Sequence, residues 1–153
     1  MTIVPETPTS ETVSPEAGRY LCAVLYCTLD DEPPIGTGDL AEHLDVSRAS
    51  VTEMIEKFDD DGLLIHEPYR GVELTNKGDR LARELVWRRC VVQQFFETDI
   101  GIAMPPTRAF NIGCNLPHDD VERIGNRIEE PCPGTCTASR VEECYTLAAE
   151  ASR

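Results

Sequence analysis

Lysine is nearly missing from this chain. Twelve of its fourteen basic side chains are arginine, set against 28 acidic residues for a net charge of −14. An acidic surface repels phosphate, so this sign argues against a general binder of polyanions. Arginine in place of lysine within an acid excess is, however, the composition expected of a protein at work in concentrated salt, where charge is screened over about 3 Å. A halophilic origin is therefore expected, with an acidic DNA-mimicking or protein-binding domain as the alternative. Also lacking are apolar runs of membrane-span length and a signal-peptide pattern at the start, so a cytoplasmic protein without a membrane partner is expected. No glycine-rich phosphate loop, nucleophile elbow or HExxH motif occurs, and nothing arranges Cys, His and Asp as a triad. An enzyme is not expected.

What the 153 residues do contain is enough to bury a core for one or two small domains, and the segment from Thr37 to Leu74 organises it. Thr37 is placed to cap a short helix, with Leu40, Ala41 and Leu44 on one face. After a break at Asp45, Ser47 caps a second helix, and Val46 and Val51 stand at the two positions of a hydrophobic staple. Val51, Met54, Ile55 and Phe58 recur at i, i+3, i+4 and i+7, which turns Arg48, Ala49, Thr52, Glu53 and Glu56 outward. Such a short polar face fits a major groove, with Arg48 able to pair with guanine or phosphate, Thr52 with either, and Glu53 with a cytosine amine. Gly62 ends the helix. Leu63–Ile65 and Val72–Leu74, joined through Arg70-Gly71, read as a hairpin with Arg70 at its tip. Helix, turn, helix and wing predict a winged helix-turn-helix that contacts double-stranded DNA through Ser47, Arg48, Ala49, Ser50, Thr52, Glu53 and Arg70. A scaffold of the same shape without a nucleic-acid role is the bland alternative.

Elsewhere the reading is mainly α. Residues 1–13 are Thr, Pro and Glu without periodicity, a disordered tail. Ser14-Pro15-Glu16 opens a first helix that ends before Pro33-Pro34. Residues 14–75 thus make the winged domain. Thr75 caps a long helix to about Thr98 whose second half is more apolar than one stripe requires, so Val91, Val92, Phe95 and Phe96 are expected to bury against a second subunit of a homodimer. Packing within the chain is the alternative. Shorter helices follow at 107–115 and from Pro117 to Pro131, completing a helical dimerisation and effector domain over 76–130. Residues 131–153 form a cysteine-containing tail.

LAEHLDVSRASVTEMIEKFDDDGLL, followed by YRGVELTNKG and RLARELVWRR, resembles the metal-dependent repressors of the diphtheria-toxin-repressor and manganese-transport-regulator family. The resemblance runs from about Ser14 to Ile128. It implies a dimeric transcription regulator whose DNA affinity a bound transition metal sets, in a short form without the C-terminal barrel of longer members. Aligned on SPEAGRYL, LVWRRC and AFNIGCNL, the family's regulatory ligand positions fall on Arg19 and Cys22, on Arg89, and on Phe110, Gly113 and Cys114. Arginine has no lone pair to give and Phe110 and Gly113 have no side-chain donor, so the family's manganese chemistry does not carry over.

Cysteine is what the chain offers instead, at 22, 27, 90, 114, 132, 136 and 144. Cys132, Cys136 and Cys144 form a C-x3-C-x7-C run, and the Pro and Gly beside the first two favour a tight loop. With Cys114 as fourth donor they make an all-sulfur site, suited to an iron-sulfur cluster or to iron or zinc as a single ion. Cys22 and Cys90 are lesser candidates, and Cys27 is read as core. A thiol-disulfide switch and inert packing cysteines remain alternatives. His43 and His66 fit solvated or packed roles, and Pro117 keeps His118 off the helical face of Cys114. The expectation is a winged-helix regulator that senses iron, an iron-sulfur cluster or redox state. Its rival is a metal or cluster carrier on the same scaffold without DNA binding.

Overall fold

The computed structural model describes residues 9–129, 132–144 and 147. Its order is α1 (Pro15–Asp30), α2 (Thr37–Leu44), α3 (Arg48–Asp60), β1 (Leu64–Glu67), β2 (Gly71–Leu74), α4 (Asn76–Gln94), α5 (Pro106–Cys114) and α6 (His118–Arg127). A π-helical turn, Phe95–Ile100, extends α4, and a 3-10 turn, Val141–Glu143, lies in the tail.

Side-chain caps set the starts of three of the six described α-helices. The Ser14, Ser47 and Thr75 side chains accept from the amides of Ala17, Ser50 and Gly78, each 3.1 Å away, which satisfies an amide with no partner inside the helix. Thr37 differs from its expected part: it is the first residue of α2, and Gly36 occupies the cap without a side-chain bond. The wing is an antiparallel pair with Leu64 opposite Leu74 and Glu67 opposite Gly71. Ile35 adds a third edge, exchanging both backbone bonds with Val72 at 2.8 and 2.9 Å.

The main core gathers Leu21 and Leu25 of α1, Leu40 of α2, Val51, Ile55 and Phe58 of α3, and Leu81 and Leu85 of α4. The start of α4 is seated on the base of the wing. A Cβ on Gly78 would lie 1.8 Å from the Leu63 carbonyl oxygen, and Thr75 Oγ1 donates to the Gly62 carbonyl at 2.8 Å. Only glycine permits this approach, so α4 leaves the winged half at a fixed angle.

Two expectations need correction. Residues 9–13, assigned to a disordered tail over 1–13, form a turn: Ser10 is buried, and Glu11 accepts from the His118 amide at 2.8 Å. Residues 1–8 of that tail lie outside the described residues, as do 130–131, where α6 was expected to end. Second, Val91 and Val92 are each 1% exposed within the protomer. Val91 packs with Trp87 and Val121, and Val92 with Met104 and Ala109. Covered by α5, α6 and the segment before them, they have no surface left for a partner.

Candidate functional site: the exposed face of α3, the wing and two cavities

Helix α3 divides cleanly. Val51, Ile55 and Phe58 are buried, while Arg48, Ala49, Thr52, Glu53 and Glu56 are exposed. Ser47 Oγ lies 3.0 Å from Ser50 Oγ, and Thr52 Oγ1 donates to the Arg48 carbonyl at 2.9 Å, so both hydroxyls engage their own helix and retain acceptor capacity. The Arg48 guanidinium reaches back over α2, within about 3.0 Å of where a Cβ on Gly38 would stand. Gly38 thereby leaves room for the arginine at the helix-turn-helix corner.

At the wing tip Arg70 pairs with Glu67, Nη1 to Oε2 at 3.1 Å, with both side chains exposed. Beside it Tyr69 is fully exposed at a positive φ of 67°. Sequence reasoning passed over Tyr69, whose only signal was an aromatic one place before the Arg-Gly turn. An exposed ring next to an arginine gives the wing an apolar contact as well as a cation.

A cavity of about 240 Å³ opens between α1, α4 and α5, lined by Arg19, Cys22, Arg89 and Phe110 with Tyr26 and His43 at its side. Four of the ligand positions implied by the family resemblance thus meet at one place. Their chemistry does not fit a hard divalent ion, since two are guanidinium groups and one is a phenyl ring. Tyr26 and His43 stack there with ring centroids 4.6 Å apart.

The other two positions sit apart from it. A Cβ on Gly113 would meet the Arg88 backbone at 3.0 Å, which is how closely α5 approaches α4. Cys114 packs against the main core, and burial pushes its thiol up to about 11, with the nearby Arg88 pulling the other way. Arg88 itself, fully buried, was missed by sequence reasoning. Its Nη1 donates to the carbonyls of Gly113 at 2.9 Å and Leu116 at 2.6 Å, and Nη2 lies 3.6 Å from Glu11 Oε1. It ties α4, the α5–α6 corner and the N-terminal turn together.

The tail cysteines border a second, small cavity of about 10 Å³. Cys132, Cys136 and Cys144 line it, as expected of that run, but their fourth companion is Cys90 of α4; Cys114 is not among the lining residues. Trp87, Val91 and Gln94 complete the walls. Gly134, at φ 81°, makes the tight turn between Cys132 and Cys136. Arg83 holds this loop on α4: its Nη1 donates to the carbonyls of Cys136 at 3.1 Å and Ala138 at 2.8 Å, and its own carbonyl accepts from the Cys136 amide at 3.2 Å. Burial raises the Cys136 thiol pKa, a shift that Cys132 and Cys144 add to and that Arg83 and a backbone bond at Ala138 oppose. Among the described residues, no group of three or more His, Cys, Asp or Glu side chains stands at ligating geometry in this conformation.

Phe95 and Phe96 remain half-buried, edge to face with centroids 5.6 Å apart. Ile100 and Ile102, both about half exposed, extend this apolar surface beyond α4. No described helix is long and apolar enough to cross a membrane.

Residues 12–72 match the family described as iron dependent repressor, N-terminal DNA binding domain. Among solved structures, the chain is similar to a manganese-dependent transcriptional repressor in complex with manganese. That likeness has 25% identity and a TM-score of 0.67, and covers 75% of this chain and 53% of the other. The manganese regulator SloR gives 24% identity and a TM-score of 0.66, covering 78% and 56%. IdeR of T. acidophilum gives 20% and 0.66, covering 82% and 63%. The chain therefore spans 53–63% of the length of these proteins. Residues 12–72 thus make an N-terminal DNA binding domain of the iron dependent repressor kind, and the fold it shares with these solved structures extends over three quarters or more of the chain.

Proposed function

We propose that the chain is a sequence-specific transcription regulator that reads double-stranded DNA as a homodimer and receives its signal through cysteines, as iron, another thiophilic metal, an iron-sulfur centre or a change of redox state. The observation that carries the DNA half is α3: one side is locked in the core, and Arg48, Thr52 and Glu53 are held outward on a helix whose entry Ser47 fixes. The net charge of −14 favours a second reading, a metal or cluster carrier on a winged-helix scaffold. Against that reading, residues 36–90 hold eight basic and twelve acidic side chains, a net of −4, so most of the acid load lies outside the DNA-facing half. In concentrated salt the counterion-release contribution shrinks, and base contacts and DNA shape carry more of the selectivity. Selection of bound genomic fragments at molar salt tests the reading. Recovery of a pseudo-palindrome with half-sites about one helical turn apart is expected; recovery with no preference for any fragment contradicts it and favours the carrier.

A further inference from the structure

The geometry points to a single-ion thiolate site formed by Cys90, Cys132, Cys136 and Cys144, in which Cys90, and not Cys114, is the donor from the helical domain. The inference deepens the proposed cysteine-borne signal and rests on that reading for its biological use. It does not rest on it for its chemistry.

Four cysteines from one helix and one tail loop border the same cavity, and its remaining walls are Trp87, Val91 and Gln94. Among the described residues, no carboxylate, imidazole or cation lines it. Such a donor set selects a thiophilic ion, zinc or ferrous iron, over manganese or magnesium. Size narrows the choice further. A space of about 10 Å³ is of the order needed for one water-sized occupant, whereas an iron-sulfur cubane is several atoms across.

The loop is also pre-positioned. Arg83 grips it through the Cys136 and Ala138 carbonyls, so the loop that carries Cys136 lies against α4 without an ion. On binding, each thiol gives its proton to solvent and a metal–sulfur bond replaces the S–H, with no change of oxidation state.

Trp87, Cys90, Val91 and Gln94 fall on one stripe of α4, the helix whose first turn is seated on Leu63 at the wing base. From Gly78 to Cys90 is roughly 18 Å at helical rise. An ion at Cys90 would pin the tail to the element that aims the DNA-binding domain. The cavity lined by Arg19, Cys22, Arg89 and Phe110 would no longer have to sense metal.

Anaerobic titration of cobalt(II) into the reduced full-length chain reads the site without reference to DNA. The expected result is one equivalent bound with the intense spectrum of a tetrahedral thiolate complex. That spectrum should persist in Cys114→Ser and be lost, or require at least about tenfold more cobalt, in Cys90→Ser and Cys132→Ser. Should Cys90→Ser fail to fold by circular dichroism, cobalt protection of Cys90 from alkylation in the unsubstituted chain decides, and an unprotected Cys90 overturns the assignment. Retention of the spectrum by a folded Cys90→Ser with its loss in Cys114→Ser overturns it as well. Acid-labile sulfide accompanying iron in the anaerobically purified protein would replace the single ion by a cluster. If the cobalt results hold while DNA binding ignores the ion, the site stands and the regulatory reading fails.

Discussion

Replacing Arg88 by methionine isolates the contact that joins the two halves of the helical domain. The methionine stem refills most of the space beside α5, so the change is mainly one of hydrogen bonding. Two bonds from a charged donor disappear, at 2.9 Å to Gly113 and 2.6 Å to Leu116, each of a kind that contributes about 1.5–3 kcal/mol. The Glu11 contact is long and its carboxylate is half exposed, so it adds little. Removing the buried charge relieves part of its desolvation and offsets some of the loss. The net expectation is destabilisation of roughly 2–4 kcal/mol, a fall in Tm of roughly 5–15 °C for a chain of this size. Arg88→Lys keeps the charge without the fork that reaches both carbonyls and should fall between. Denaturant unfolding followed by circular dichroism measures it. A Met variant within about 0.5 kcal/mol of the unsubstituted chain, the ordinary scatter of surface changes, would refute the reasoning.

Three further outcomes follow from the same geometry. Arg48→Ala should lower discrimination between cognate and scrambled duplexes by about 1–3 kcal/mol if the arginine reads a base, whereas Arg70→Ala should weaken all duplexes alike as a lost phosphate contact; competition titrations separate the two. Phe95→Asp or Phe96→Asp puts a charge in the half-buried apolar surface and should break the proposed dimer, at a cost of several kcal/mol if that surface is fully closed in it, seen by light scattering with helicity retained, while an unchanged dimer would move the interface elsewhere. Burial holds the Cys114 thiol at about 11, above its ordinary value. Stability from this neutral thiol is therefore complete below pH 9 and lost as pH rises toward 11. Denaturant midpoints across that window should fall less steeply in Cys114→Ser, and equal slopes would contradict the shift.

The parts of the fold legible in the sequence are those decided within a few residues. Ser14, Ser47 and Thr75 announced their helices because a cap bonds three residues ahead, and the apolar spacing of Val51, Ile55 and Phe58 placed the inward side of α3 whatever it packs on. The parts that were not legible depend on contacts far apart in the chain. Ile35 joins the wing across more than thirty residues, and Glu11 reaches His118 across more than a hundred. Val91 and Val92 looked like interface because periodicity reports burial without saying which surface does the burying. Arg88 and Arg89 were indistinguishable as neighbours in a string, yet one binds carbonyls of α5 and its following turn while the other lines the cavity of the family's ligand positions. Cys132, Cys136 and Cys144 border one cavity because their spacing is local. Their helical companion followed from which side of α4 the tail crosses, and Arg83 decides that.

Under the proposed function, cysteine-bound metal controls DNA reading by this chain. The most direct measurement is fluorescence anisotropy at molar salt on one selected duplex, comparing zinc- or iron-loaded protein with the same protein after chelation. Sequence-selective binding is expected, with a Kd that differs at least about tenfold between the two forms, a coupling of about 1.4 kcal/mol, and with that difference lost in Cys132→Ser. Equal affinity of the loaded and stripped forms for the selected duplex would contradict it.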